Sequence, residues 1–362
     1  MFLFMDIPHG GWSGGQSQAT PASQYDIRYG MNLLNEESSY WPPYFVITSP
    51  TAFKATKSLL SKAPIGYHFT NTLDWNHLEN ISSDVSKDTK LIVAIGGGIV
   101  LDAAKYVSLK TSIPLILVPT IVSTGAIIHS IFAKWKGFST VGSADSWPWV
   151  DAHHVIVDYS VLLESPFHLN TAGLGDILCS QAGISEWEYS YRSNLSPPVD
   201  PLKTLTVRNQ RNKIVSGFPP TLDKNGQLTS RSIKFIVKSI QERDTNSIKS
   251  PYAPGSDHVF WQCVESANNR GWVHGAGVAL SAVIIAWHCE QGVEQLIEDL
   301  DLCQVFWRPS QIGISKGQLQ LALLTAPKFF SDSDNGRDIK SILRDNPIHG
   351  KRLDNLWNFL LN

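Results

Sequence analysis

The 362-residue chain carries 30 Lys+Arg against 32 Asp+Glu, with 43% hydrophobic and 17% charged residues. That balance supplies core material for about two globular domains, and a formal net charge of -2 excludes a general nucleic-acid binder, whose footprint is a basic excess. No stretch approaches the roughly 18 consecutive apolar residues of a membrane span.

The first 40 residues read as a lead-in. The apolar run Met1–Met5 is too short for a signal-peptide core and has no basic start. Gly10 to Gln24, rich in Gly, Ser, Gln, Thr and Pro, is expected to be flexible. Tyr44 to Ser49 (YFVITS) predicts a strand, followed by a helix around Ala52 to Lys62. Leu91 to Ile95 (LIVAI) is a second apolar run. It stops at Gly96, Gly97 and Gly98, and VLDAAKYVSL then predicts a helix. Pro114 to Val118 (PLILV) and Val155 to Val157 add two more strands. Short apolar runs alternating with helices predict a parallel, doubly wound sheet.

The triple-glycine turn is the clearest local signal. Glycines let a backbone turn sharply and approach a ligand, and the following helix N-terminus presents free N–H groups that suit a pyrophosphate. The turn lacks the usual GxGxxG wording, and a plain strand-to-helix connection explains it equally well. Asp102 lies one turn into that helix, either bonding loop amides or solvated. The next loop, PTIVSTGA, offers the hydroxyls of Thr120, Ser123 and Thr124, although an ordinary polar turn reads the same way.

After about residue 160 the pattern becomes helical, with helices expected over Ile177–Tyr191, Ser230–Glu242, Val259–Asn268, Val278–His288 and Gln318–Leu324. A sheet domain followed by a helical one leaves a cleft as the expected ligand site. Asp176 (in TAGLGD), His258 (in GSDH) and His274 (in VHGAG) each open a helical stretch. The two histidines are 16 residues apart (274 − 258), one helix plus a turn, so adjacent helix starts can bring them together. One carboxylate and two imidazoles make an open site for a divalent ion acting as a Lewis acid. Spacing alone favours the plainer readings, a helix cap for Asp176 and surface or core residues for the two histidines. The basic run with Lys203, Arg208, Arg211 and Lys213 reads as a solvated face, and His153 and His154 as surface or loop residues. The four cysteines, Cys179, Cys263, Cys289 and Cys303, form no CxxC pair and read as reduced, mostly buried thiols of a cytoplasmic protein.

The ordered set GGGIVLDAAK, VPTIVST, TAGLGDILCSQAGISEWEYSYR, GSDHVFWQCVE and VHGAGVAL resembles the iron-containing alcohol dehydrogenase and dehydroquinate synthase-like superfamily, and within it the NAD(P)-dependent glycerol-1-phosphate dehydrogenases. The resemblance spans roughly Tyr44 to His288. It implies an α/β N-terminal Rossmann-like domain over 41–160 and an all-α C-terminal domain over 161–362 that binds metal and substrate. It implies NAD or NADP at Gly96, Gly97, Gly98, Asp102, Thr120 and Ser123. It also implies one divalent metal, zinc with iron or nickel as alternatives, on Asp176, His258 and His274. The implied reaction reduces a small ketone, dihydroxyacetone phosphate to sn-glycerol 1-phosphate. The implied enzyme is cytoplasmic, has no nucleic-acid or membrane partner, and is compatible with a homo-oligomer.

Two positions depart from the family pattern. Gly125 stands where an Asp follows the PT turn, and Ala276 stands where HGE carries its acid. Both bear on the substrate, so another polyol or alcohol dehydrogenase is an alternative. A dehydroquinate-synthase-like cyclase is disfavoured, because STGAIIHSIFAKW replaces its DSSVGGK-like stretch. A non-catalytic NAD-binding relative is a further alternative, against which the retained Asp176, His258 and His274 weigh.

Overall fold

The computed structural model describes residues 10–133, 135–140, 146–245, 255–332 and 339–361. Met1–Met5 lies outside them. The strands that matter are β1 (Ile27–Gly30), β2 (Tyr44–Thr48), β3 (Gly66–Phe69), β4 (Leu91–Gly96), β5 (Leu115–Pro119) and β6 (His154–Asp158). The helices are α1 (Pro50–Thr56), α2 (Trp75–Asp84), α3 (Gly98–Thr111), α4 (Phe167–Leu178), α5 (Ser180–Arg192), α6 (Pro201–Gly217), α7 (Ser230–Thr245), α8 (Ser256–Asn268), α9 (His274–His288), α10 (Val293–Leu302), α11 (Lys316–Phe330) and α12 (Gly350–Leu361).

Two compact units divide the chain. Unit 1 is Met1–Asn170 with Leu228–Thr245, and unit 2 is Thr171–Gln227 with Asn246–Asn362. The sequence places a single boundary at 160; the units instead meet at 170/171, and α7 returns to unit 1 after an excursion of the chain through unit 2. Composition cannot reveal such a return, because an amphipathic helix carries no mark of which core its apolar face joins.

Unit 1 is built on a six-stranded sheet in the order β1-β6-β5-β4-β2-β3, with every pairing parallel. The residues of β2, β4 and β5 are all buried, the mark of strands covered on both faces. On one face Tyr44 and Val46 of β2, Leu91, Val93 and Ile95 of β4, Ile116 and Val118 of β5 and Ile156 of β6 form one apolar cluster with Leu34 and Trp41. These are alternate residues, as the two-residue period of a strand requires. Each such side chain contributes about 1.5–3 kcal/mol on burial.

The stretch expected to be a flexible lead-in is instead tied down in its described part. Ile27–Gly30 becomes β1 beside β6. The N–H groups of Asn32 and Leu34 donate to the buried Asp158 carboxylate at 3.1 and 2.8 Å. Thr20 donates through its hydroxyl and its N–H to Asp151. The partners lie more than 120 residues away in sequence, so local composition does not reveal them. His154, expected at the surface, opens β6 with its ring buried, its Nε2 at 2.7 Å from the Glu37 carboxylate.

Unit 2 is helical. Its centre is α9, whose residues 275–286 are all buried; a helix apolar all round is a core helix. α8 lies against α9 through one close contact. A Cβ on Gly277 would fall 1.8 Å from the ring of Trp261, itself fully buried. Only glycine at 277 lets the two helices approach so closely.

Candidate metal centre and nucleotide-binding turn

Three helices of unit 2 meet at one point. Asp176 sits in the third turn of α4, buried to 2% side-chain exposure. His258 lies in the first turn of α8, and His274 is the first residue of α9. His258 Nε2 lies 3.0 Å from Asp176 Oδ1, and His274 Nε2 lies 3.7 Å from the same oxygen. The two imidazole centroids are 5.3 Å apart. All three donor atoms fall within 4.8 Å of one another. Bonds of about 2.0–2.2 Å in a tetrahedral shell put neighbouring donors about 3.4 Å apart, a value bracketed by the two measured edges. The two imidazoles are 25% and 34% exposed, so the cluster opens on one side. The donor set therefore fits one divalent ion with room for a further ligand.

Asp257 completes the arrangement, and sequence reasoning passed over it. Its Oδ1 lies 3.1 Å from His258 Nδ1 and accepts the His258 backbone N–H at 2.7 Å. With Nε2 aimed at Asp176, the Nδ1–H donates to Asp257, which fixes the ring and raises its basicity. Burial alone would favour the neutral ring. The charge of Asp257, with hydrogen bonds to Asp176, Asp257 and Cys179, outweighs it and holds the His258 pKa well above its usual value. The signal for Asp257 was its place beside His258 in GSDH. A second grouping, Cys179, Asp257 and His258, is also close enough to chelate. Burial, aided by Asp257, pushes the Cys179 thiol up to about 12, and its S–H donates to the Asp176 carbonyl at 3.2 Å.

In unit 1 the glycine turn lies at the carboxyl end of β4. Gly96 ends the strand, Gly97 is the N-cap of α3, and Gly98 is its first residue. The N-cap supplies no side-chain bond, so the first amides of α3 are not capped from within the turn. A Cβ on Gly98 would stand 2.6 Å from Thr124 Cγ2, so glycine lets the loop after β5 close onto the helix start. Thr120 N–H donates to the Gly96 carbonyl at 3.0 Å, joining the two loops. Ser123 is buried and Thr124 half-buried. Asp102 neither bonds loop amides nor stands in solvent; it pairs with the fully buried Lys105 at 2.8 Å. The Lys105 ammonium also donates to Ala126 O at 2.8 Å, tying α3 to the turn after β5. Val122 N–H donates to the buried Asn170 at 2.9 Å, a support that sequence reasoning did not identify.

Of the basic run, Arg208 and Lys213 are exposed as expected. Arg211 is not part of a solvated face, because its guanidinium makes a two-pronged pair with the buried Asp299 at 2.5 and 2.7 Å. All four cysteines are buried and free. No helix among the described residues is long and apolar enough to cross a membrane.

Residues 46–166 match the family model described as iron-containing alcohol dehydrogenase. The chain is 25% identical over 281 residues to a glycerol-1-phosphate dehydrogenase [NAD(P)+] of Saccharolobus solfataricus, covering 73% of this chain and 75% of the relative. It is 24% identical over 315 residues to the enzyme of that name from Metallosphaera sedula, covering 83% and 84%. Among solved structures it is similar to a probable glycerol dehydrogenase of Sinorhizobium meliloti, with a TM-score of 0.64, 16% identity and coverage of 93% and 97%. It is also similar to a glycerol dehydrogenase of Schizosaccharomyces pombe, with a TM-score of 0.61, 15% identity and coverage of 93% and 90%. The fold is therefore the one expected, an α/β Rossmann-like part with a helical part, and the resemblance read from the ordered motifs is borne out.

Proposed function

For a chain that is a relative of the iron-containing alcohol dehydrogenases, we propose a metal-dependent NAD(P) oxidoreductase that reduces a small ketone, dihydroxyacetone phosphate to sn-glycerol 1-phosphate. The observation that carries the reading is the convergence of Asp176, His258 and His274 at the spacing of one divalent ion, in a chain whose curated relatives are glycerol-1-phosphate dehydrogenases. Zinc is the proposed metal, and Asp176, His258 and His274 its ligands. Gly96, Gly97, Gly98, Asp102, Thr120 and Ser123 form the proposed cofactor site.

Asp176, His258 and His274 would hold a divalent ion, which would supply Lewis-acid chemistry to a carbonyl oxygen, with a reduced nicotinamide as the hydride source. The residues do the rest. Asp176 contributes the negative charge that balances the ion, from a position closed to water. Asp257 keeps the His258 ring turned toward Asp176. The amides after Gly97 would receive a pyrophosphate at the positive end of α3, and the Lys105–Asp102 pair holds that helix start against the neighbouring turn. Four free, buried cysteines support a cytoplasmic location. A second reading, reduction of an unphosphorylated ketone, draws on Gly125 and Ala276, the two positions where this chain lacks the family's acids.

The test is purification with metal analysis, followed by NADH and NADPH oxidation against a panel of phosphorylated and unphosphorylated ketones. One equivalent of metal and turnover on dihydroxyacetone phosphate are expected. Metal without turnover on any ketone would sink the enzyme reading, and turnover on unphosphorylated ketones alone would install the second.

A further inference from the structure

The helix that begins with His274 ends at a cavity. Its volume is about 570 Å³, within the range of small-molecule pockets. Tyr189, Arg192 and Ser193 line it from the end of α5, His288 and Glu290 from the end of α9, and Arg352 from the first turn of α12. All of them belong to unit 2. At 1.5 Å of rise per residue, His288 stands about 21 Å along α9 from His274, so an occupant of the cavity is remote from the metal trio.

Arg352 is held in one orientation. Its Nε–H donates to His288 Nδ1 at 3.0 Å, its Nη2 donates to the His288 carbonyl at 3.3 Å, and its guanidinium lies 4.9 Å from the centre of the Trp287 ring. His288 accepts at Nδ1 as a neutral ring with its proton on Nε2, and that N–H donates to the Asn346 carbonyl at 2.6 Å. Burial, aided by the Arg352 charge, keeps the ring's pKa below its usual value. Arg352 Nη1 has no acceptor among the described residues. The one carboxylate near Arg352 is Glu290, at 3.4 Å and 77% exposed, a contact that water weakens. Arg192 is exposed at the end of α5 and has no acidic partner among the described residues. Its charge still reaches the cavity wall. Burial and the Glu186 charge push the Cys289 thiol up, and Arg192 opposes them. The carbonyls of residues 189–191 and 285–287 accept backbone N–H groups, which blunts the negative ends of the two helices. Two guanidinium groups thus face one solvated carboxylate.

We propose that this cavity binds a small phosphate monoester, with Arg192 and Arg352 holding the phosphate. A guanidinium offers paired N–H groups that match phosphate oxygens, and one already fixed by its own contacts loses less freedom on binding. A phosphate monoester carries close to two negative charges at neutral pH, which two guanidinium groups balance. The cavity is far larger than a bare ion and leaves room for the organic part beside Tyr189 and Ser193.

The test uses the full-length protein with glucose 6-phosphate as the ester, beside inorganic phosphate, succinate and potassium chloride, all at equal ionic strength so that screening is constant. Phenylglyoxal modifies accessible arginines, and mass spectrometry reads each site. Glucose 6-phosphate should slow modification of Arg192 and Arg352, and the concentration that does so gives its affinity. Arg192→Gln removes an exposed, unpaired charge, so its Tm should match wild type. Loss of one charge-assisted contact should weaken glucose 6-phosphate by about tenfold or more, read at Arg352. Protection equal to that by chloride, or none, overturns the proposal. So does an Arg192→Gln protein that binds the ester as tightly as wild type. Inorganic phosphate binding as tightly as the ester would make this an ion site only, and tighter binding of succinate would make it a carboxylate site; either result overturns the monoester assignment. The outcome is independent of oxidoreductase activity, because both arginines are read directly.

Discussion

The indole of Trp261 occupies the space that a side chain at Gly277 would fill, with ring atoms 1.8–2.3 Å from the position of a Cβ there. This contact sets the approach of α8 to α9, and those two helices carry His258 and His274 in their first turns. The site is thus held by apolar packing well inside unit 2.

Gly277→Ala tests that dependence. Overpacking a filled core costs about 1–3 kcal/mol, and an overlap this deep belongs at the upper end. Thermal unfolding should show a lower Tm, with a loss of metal affinity in the folded protein as the histidines move apart. An unchanged Tm would mean that the helices tolerate a wider spacing than their contact implies.

Asp257→Asn removes the charge behind His258 and keeps the shape. Loss of a carboxylate partner behind a ligating histidine costs about 10–100-fold in metal affinity or activity. Competition with a calibrated chelator measures it. Affinity equal to wild type would show that Asp257 serves only the helix start, through its bond to the His258 backbone N–H.

His274→Ala should lose bound metal and reduce turnover to background while NADH binding stays measurable by fluorescence. The reason is that the glycine turn belongs to unit 1 and His274 to unit 2. Full metal content in this variant would remove the trio as the ligand set.

Glu186 gives a pH prediction. Burial pushes its carboxyl up to about 7, with the backbone N–H of Ile342 at 2.7 Å only partly offsetting the loss of water. A carboxyl raised in the folded state leaves stability unaffected below the unfolded value near 4.5. As pH rises from there to about 7, the unfolded chain ionises first and stability falls; above about 7 the loss is constant. The loss amounts to about 3 kcal/mol as an upper figure. Glu186→Gln should flatten this fall, so that its Tm exceeds that of wild type at pH 8 by more than at pH 5. A variant with the wild-type pH profile would place the carboxyl's pKa near its ordinary value.

The strands of unit 1 and the glycine turn were legible because their signals are local. YFVITS, LIVAI and PLILV are apolar on both faces, and a buried parallel strand between two helix layers requires that. The metal trio was legible by its order along the chain more than by any spacing: His258 and His274 do lie in first turns, but Asp176, expected to open a helix, lies in the third turn of α4. Asp257 and Asn170 were missed because a carboxylate or amide beside a functional residue has no pattern of its own. Arg211 was misread because its partner Asp299 lies 88 residues further on.

Periodicity and chain order decide which segments are strands and helices, and they decide that a parallel sheet is joined to a helical bundle, because those choices depend on neighbours within a few residues. That Asp176, His258 and His274 share one point, and that Asp244 reaches the place Gly125 leaves open, depends on side chains distant in the chain arriving together. Such meetings are set by packing, where the fit of Trp261 over a bare glycine backbone selects one arrangement from many that the same hydrophobic pattern allows.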